Sequence, residues 1–277
     1  MFDTNYYCLV AGLREYSLDS GTKGFDPRAI LDEILAELTP RDLQAVRLLY
    51  GYYDCENLLS LRAGRAAFNP LGNFSQTELR EEMEHPRRLP QAIGRILRAY
   101  ASPEGEDAET VNTDRRFEMS LYEAYYEACE ASSSRFLQEW SRFDRTLRNV
   151  AAAITARATD RPVGECIVGR DDIAEQLRRS SAADFGLRGE LPYIDAVIAA
   201  VNDEGNLLEK EHRIDRIRWQ QAVDLAVADY FDINAILSYL VRINIVARWA
   251  QLDEKRGREM LGELLRELDG KELINNN

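Results

Sequence analysis

From Phe117 to Ile154 the chain puts an apolar or small side chain at every third or fourth position: Phe117, Leu121, Ala124, Ala128, Ser132, Phe136, Trp140, Phe143, Leu147, Val150 and Ile154. That spacing draws one stripe along an α-helix and does not suit a strand, whose side chains alternate between faces. Read without a break, it predicts a single helix of roughly 55 to 60 Å, bent at most at Ser132-Ser133-Ser134, and therefore an elongated protein. A second run of the same kind is predicted from Leu207 to about Trp249.

The shorter elements announce themselves through their ends. Asp26-Pro27 and Thr39-Pro40 each pair a capping side chain with a proline at the first helical position, where its missing N–H costs nothing. Ile30, Leu31, Ile34, Leu35 and Leu38 form the stripe of the first of these helices, and Leu43, Val46, Tyr50, Tyr53 and Leu61 that of the second. Ser75-x-x-Glu78 reads as a capping box, and Ile93, Leu97 and Tyr100 mark one more short helix. Tyr6 to Leu13 reads equally as a strand or as a first helical turn. Gly-rich and charged loops at 159–172 and 180–191 flank a short helix, Pro192 begins another, and residues 202–206 form a turn. Met260, Leu261, Leu264, Leu265 and Leu268 predict a last helix ending at Gly270. The fold class is therefore all-α, an elongated multi-helix bundle. Residues 101–114 hold five acids and no base, cannot bury an apolar face, and divide the chain into an N-terminal helical lobe (1–100), an acidic linker (101–114) and a long-helix lobe (115–277).

With 48 acids against 35 bases the net charge is −13, which repels a nucleic-acid backbone and an anionic lipid surface alike. Cys8, Cys55, Cys129 and Cys166 lie too far apart for a zinc knuckle and suggest no disulfide framework. No run approaches the roughly 20 apolar residues that span a bilayer, and the first residues lack the pattern of a secretory signal. The expected location is the cytoplasm. Neither a phosphate-binding glycine loop nor a nucleophile elbow is present, so no catalytic residue and no cofactor is expected.

Three constellations carry candidate sites. Asp54 and Asn57 fall beside the apolar stripe of their helix and predict a satisfied polar network that fixes helix register, with a docking surface for a partner as the alternative reading. Within the helix predicted over Trp219 to Asp253, the polar Asp232, Asn234, Arg242, Arg248 and Asp253 are expected to form structural ion pairs, and Trp249 to be a core residue. Glu82-x-x-His85 and Glu209-x-x-His212 repeat the spacing of di-iron carboxylate bundles. Pro86 biases His85 out of a helix, and 209–213 is charged throughout, so the metal reading is the alternative.

Several of these residues resemble a known family. Tyr6-Tyr7-x-Leu9-Val10-Ala11-Gly12-Leu13, Tyr53-Asp54-x-x-Asn57-Leu58, Asp184-Phe185-Gly186-Leu187, Phe231-Asp232-Ile233-Asn234 and Val246-x-Arg248-Trp249-x-x-Leu252-Asp253 together resemble a bacterial family associated with V-type ATPases and related to the C/d component of their central stalk. The Asp-x-x-Asn-Leu element recurs loosely at Asp232-Ile233-Asn234, one residue out in spacing. The resemblance implies a non-catalytic, funnel-like helical protein of the rotor, with a C/d-like fold. It would link the shaft to the proteolipid ring at the inner face of the cell membrane, with other rotary-ATPase subunits as its partners.

Overall fold

The computed structural model describes residues 5–18, 24–101, 113–203 and 205–251. These residues are all-helical, with eleven α-helices and no strand among them. No helix among them is long and apolar enough to cross a membrane. Most of the expected linker, the predicted last helix and Asp253 lie outside the described residues.

The short N-terminal segment is helical: α1 spans Tyr7–Gly12. Helix α2 (Pro27–Glu37) starts where Asp26 accepts from the amides of Arg28 and Ala29. Helix α3 (Pro40–Arg62) is capped by Thr39, and α4 (Gln76–Glu84) by the complete capping box of Ser75 and Glu78. Helix α5 (Gln91–Ala101) and α6 (Thr113–Glu130) follow.

The long helix expected over 117–154 is two helices, α6 and α7 (Arg135–Ala158). The serines break it. Ser134 caps α7 by accepting from the amide of Leu137 at 3.3 Å, and Ser132 accepts from the amide of Ser134 at 3.1 Å. Short hydroxyl side chains offer the backbone bonds that compete with helical ones, so the chain turns back on itself. Tyr126 then meets Asp144, and Glu130 meets Arg145, which makes α6 and α7 an antiparallel hairpin. The rod on which the expected elongation rested does not form.

A 3-10 turn (Val163–Glu165) precedes α8 (Asp172–Arg179), and α9 spans Ile194–Asn202. The second expected long helix is also divided, into α10 (Leu207–Leu225) and α11 (Ile233–Gln251). Here Asp232 accepts from the amides of Asn234 and Ala235 and starts α11 afresh.

Two apolar clusters form. In the smaller, Cys55 and Leu58 of α3 pack with Leu79 of α4, Ile93 and Leu97 of α5, and Phe117, Leu121 and Tyr125 of α6. The larger surrounds α7, of which 13 of 24 residues are buried, more than one narrow stripe requires. Helices α2, α8, α9, α10 and α11 close on it, together with the first half of α3. Helix α3 therefore belongs to both clusters, and its middle, residues 52–57, lies where they meet.

Candidate functional site

Asp54 and Asn57 are both buried, and the expected satisfied network is present. Its partner is a loop, however, and not a neighbouring helix whose register could be set. Asp54 accepts from the amide of Asn73 at 2.8 Å, the amide of Phe74 at 3.3 Å and the side chain of Asn73 at 2.6 Å. Asn57 accepts from the amide of Asn69 at 2.6 Å and donates to its carbonyl at 2.9 Å. Gly72 is needed between them, since a Cβ there would lie 2.7 Å from Asp54 Oδ1 and 3.0 Å from Asn57 Nδ2. Burial raises the Asp54 pKa to about 6, and the bonds from Asn73 and Phe74 only partly offset it.

Next to this loop, with Asn69 and Leu71 on its wall, lies a cavity of about 1020 Å³ between α3, α6, α7, α10 and α11. One wall is aromatic: Tyr52 stacks on Tyr122 with ring centroids 5.4 Å apart and meets Tyr53 and Tyr125 edge-on. Another is a ladder of alternating charge. Arg148 Nε lies 2.8 Å from Asp144, which also receives Arg218 at 3.1 Å. Arg218 reaches Asp215 at 3.2 Å, Asp215 receives Arg248 at 2.9 Å, and Arg248 also pairs with Glu211.

Asp144, Arg218 and Asp215 are the inner members. Asp215 is 1% exposed, whereas the Arg148 and Arg248 side chains keep 41% and 40% of their surface and line the cavity. Burial alone would raise Asp144, but Arg148 and Arg218 outweigh it and hold its pKa at about 2. Across the cavity, burial raises the pKa of Glu56 against the bond from Asn69 and the fields of Arg148 and Arg248. Three helices are thus joined by charge pairs, and α6 is tied to them through the Tyr126 hydroxyl, 2.8 Å from Asp144.

The candidates of the last two helices separate here. Arg248 forms the expected ion pairs. Trp249 is half-buried rather than a core residue; its indole packs on His212 at 5.2 Å and donates to Asp215 at 2.9 Å. Among the described residues Asp232 is the cap of α11 rather than a member of an ion pair, and Asn234, a neutral amide, donates to it at 3.0 Å. Asp54 and Asn57 sit inside a helix and hold a loop, so the two Asp/Asn elements do different work and the loose repeat is not a structural one. Arg242 has no ion pair among the described residues; its guanidinium lies against Trp219 and Tyr239, and burial lowers its pKa. Asp144, Asp215 and Arg218 are not among the sequence candidates, although Asp144 and Arg148 stand four apart, the spacing of a helical ion pair.

The two Glu-x-x-His pairs do not build a metal site. Glu82 is buried with its carboxylate accepting from the amides of Arg87, Arg88 and Leu89 at 2.9, 2.9 and 3.2 Å. His85 is exposed at the end of α4, and Glu209 pairs with Arg213. Among the described residues no group of three or more His, Cys, Asp or Glu side chains is placed to hold a metal ion.

No curated protein matches the chain. The family model described as "Protein of unknown function (DUF2764)" matches residues 3–271, nearly the whole length, and the chain belongs to that family.

Proposed function

We propose that this protein is a non-catalytic coupling subunit of a bacterial V-type rotary ATPase, placed in the central stalk between the shaft and the proteolipid ring. One observation carries the reading beyond the family resemblance. Six residues of that resemblance, Asp54, Asn57, Asp232, Asn234, Arg248 and Trp249, are committed to the protein's own backbone or charges. They brace a loop, cap a helix and join α10 to α11. Such bracing suits a part that transmits force through its body. A site for chemistry would leave polar groups aimed at a substrate.

The di-iron alternative draws no support from Glu82, whose carboxylate is committed to backbone amides. Co-expression with the shaft and ring subunits, followed by affinity capture at low and high salt, tests the proposal. Rotor subunits are expected to co-purify, with part of the attraction lost as salt screens the −13 charge. Capture of no rotor subunit at either salt, or stoichiometric iron with oxidase activity in the purified protein, overturns it.

A further inference from the structure

The turn between α10 and α11 is apolar and turned outward. Val227 and Tyr230 are 71% and 73% exposed, and Phe231 36%. Helix α1 extends the patch: Tyr7, 57% exposed, sets its ring 4.7 Å from that of Phe231. The amide of Tyr6 donates to the Phe231 carbonyl at 2.6 Å, so the patch is held in place by backbone as well as side chains. Contiguous exposed aromatic surface with a polar rim marks contact sites more often than bare solvent-facing surface.

The rim is acidic. Asp224 is exposed, Asp229 and Asp232 flank the two aromatics in sequence, and Glu139 stands across from them. Arg135, which pairs with both Asp229 and Glu139, is the cation among them. Four acids against one arginine leave the rim negative. A second copy of the chain would bring another −13 and the same acidic rim against it, which disfavours self-association through this face.

We infer that the patch formed by Tyr7, Val227, Tyr230 and Phe231 is the docking surface for a basic, amphipathic segment of a partner protein. The apolar side of that segment covers the aromatics, and its lysines or arginines meet the exposed Asp224 in the negative field of Asp229, which Arg135 already pairs, and of Asp232, which caps α11. The inference deepens the coupling reading and rests on it for the existence of a partner.

The test uses the full-length protein and a fluorescent 18-residue amphipathic peptide of leucine and lysine, with a leucine–glutamate peptide as counterpart. The variant Val227→Ser/Tyr230→Ser removes apolar surface without changing charge, and both side chains are so exposed that melting should not move. The lysine peptide should bind, weaken with salt, and lose at least tenfold in affinity to the variant; the glutamate peptide should not bind. Equal affinity for wild type and variant, no binding of the lysine peptide, or preference for the glutamate peptide overturns the inference. Capture of rotor subunits separates it from the coupling reading. If wild type and variant recover them equally, the patch fails and coupling stands; if wild type recovers none while the peptide discriminates, coupling fails and the patch stands.

Discussion

The indole N–H of Trp249 on α11 donates a 2.9 Å hydrogen bond to the carboxylate of Asp215 on α10, a residue with 1% of its surface exposed. The bond reaches a charge that two arginines already share. Trp249→Phe keeps most of the packing and deletes the donor, so it should cost about 1 to 2 kcal/mol. Trp249→Ala also loses half-buried surface and should cost about 2 to 3 kcal/mol, less than a fully buried tryptophan. Chemical denaturation checks both, and equal losses for Phe and Ala would show that packing alone matters.

Arg218 stands at the middle of the charge ladder and Arg248 toward one end. Arg218→Met takes one partner from each of two buried acids, leaving Asp144 with Arg148 and Tyr126 and Asp215 with Arg248 and Trp249, and should cost about 2 to 4 kcal/mol. Arg248→Met leaves Asp215 with Arg218 and Trp249 and should cost about 1 to 2 kcal/mol. Equal effects in urea titrations would mean that the ladder is not graded from centre to rim.

Gly72 and Asp54 should be coupled. Gly72→Ala places a methyl against Asp54 Oδ1 and should cost about 1 to 3 kcal/mol by overpacking; Asp54→Ala abandons the amides of Asn73 and Phe74 and should cost a similar amount, about 1 to 3 kcal/mol. Together they should cost less than their sum by about 1 kcal/mol, because the alanine at 54 vacates the space that the new methyl needs. Strict additivity would break the argument.

Titration of Asp54 gives a signed expectation. Its folded pKa of about 6 lies above the ordinary 3.8, so between those values the folded protein binds the extra proton. Stability contributed by this group is present below about pH 4, is lost as pH rises toward 6, and is level above that. Relative to Asp54→Asn, the wild type should therefore lose up to about 3 kcal/mol between pH 4 and 7. A wild type that gains on the variant over that range would reverse the sign and exclude burial as the dominant cause.

Helix starts are readable in the sequence because they are local. Asp26-Pro27, Thr39-Pro40 and the pair Ser75 and Glu78 need only their own next few residues to act. Both long periodic runs mislead for one reason: an apolar residue every three or four positions continues in phase across a reversal of direction. Ser134 and Asp232, which read as a bend and as a polar exception, are the caps that mark those reversals. A capping residue just ahead of an apolar run is the signal that could have found them. The burial of Asp54 follows from its place beside the stripe, but its partners are amides of a loop some twenty positions away. The ladder joins residues 144, 215 and 248, which no periodicity connects.

The hydroxyl of Tyr50 on α3 donates to Asn244 on α11, 194 positions later, and the hydroxyl of Tyr239 reaches back to the carbonyl of Arg14. Helix α11 is thus the cover of a core begun by α2 and the first half of α3. During synthesis at about 5 to 20 residues per second, Tyr50 waits roughly 10 to 40 s for that cover. A ribosome that stops before α11 releases a chain with its first apolar faces bare, ready for chaperone or protease. Closure of the first apolar faces is in this way made to wait for residues 233–251.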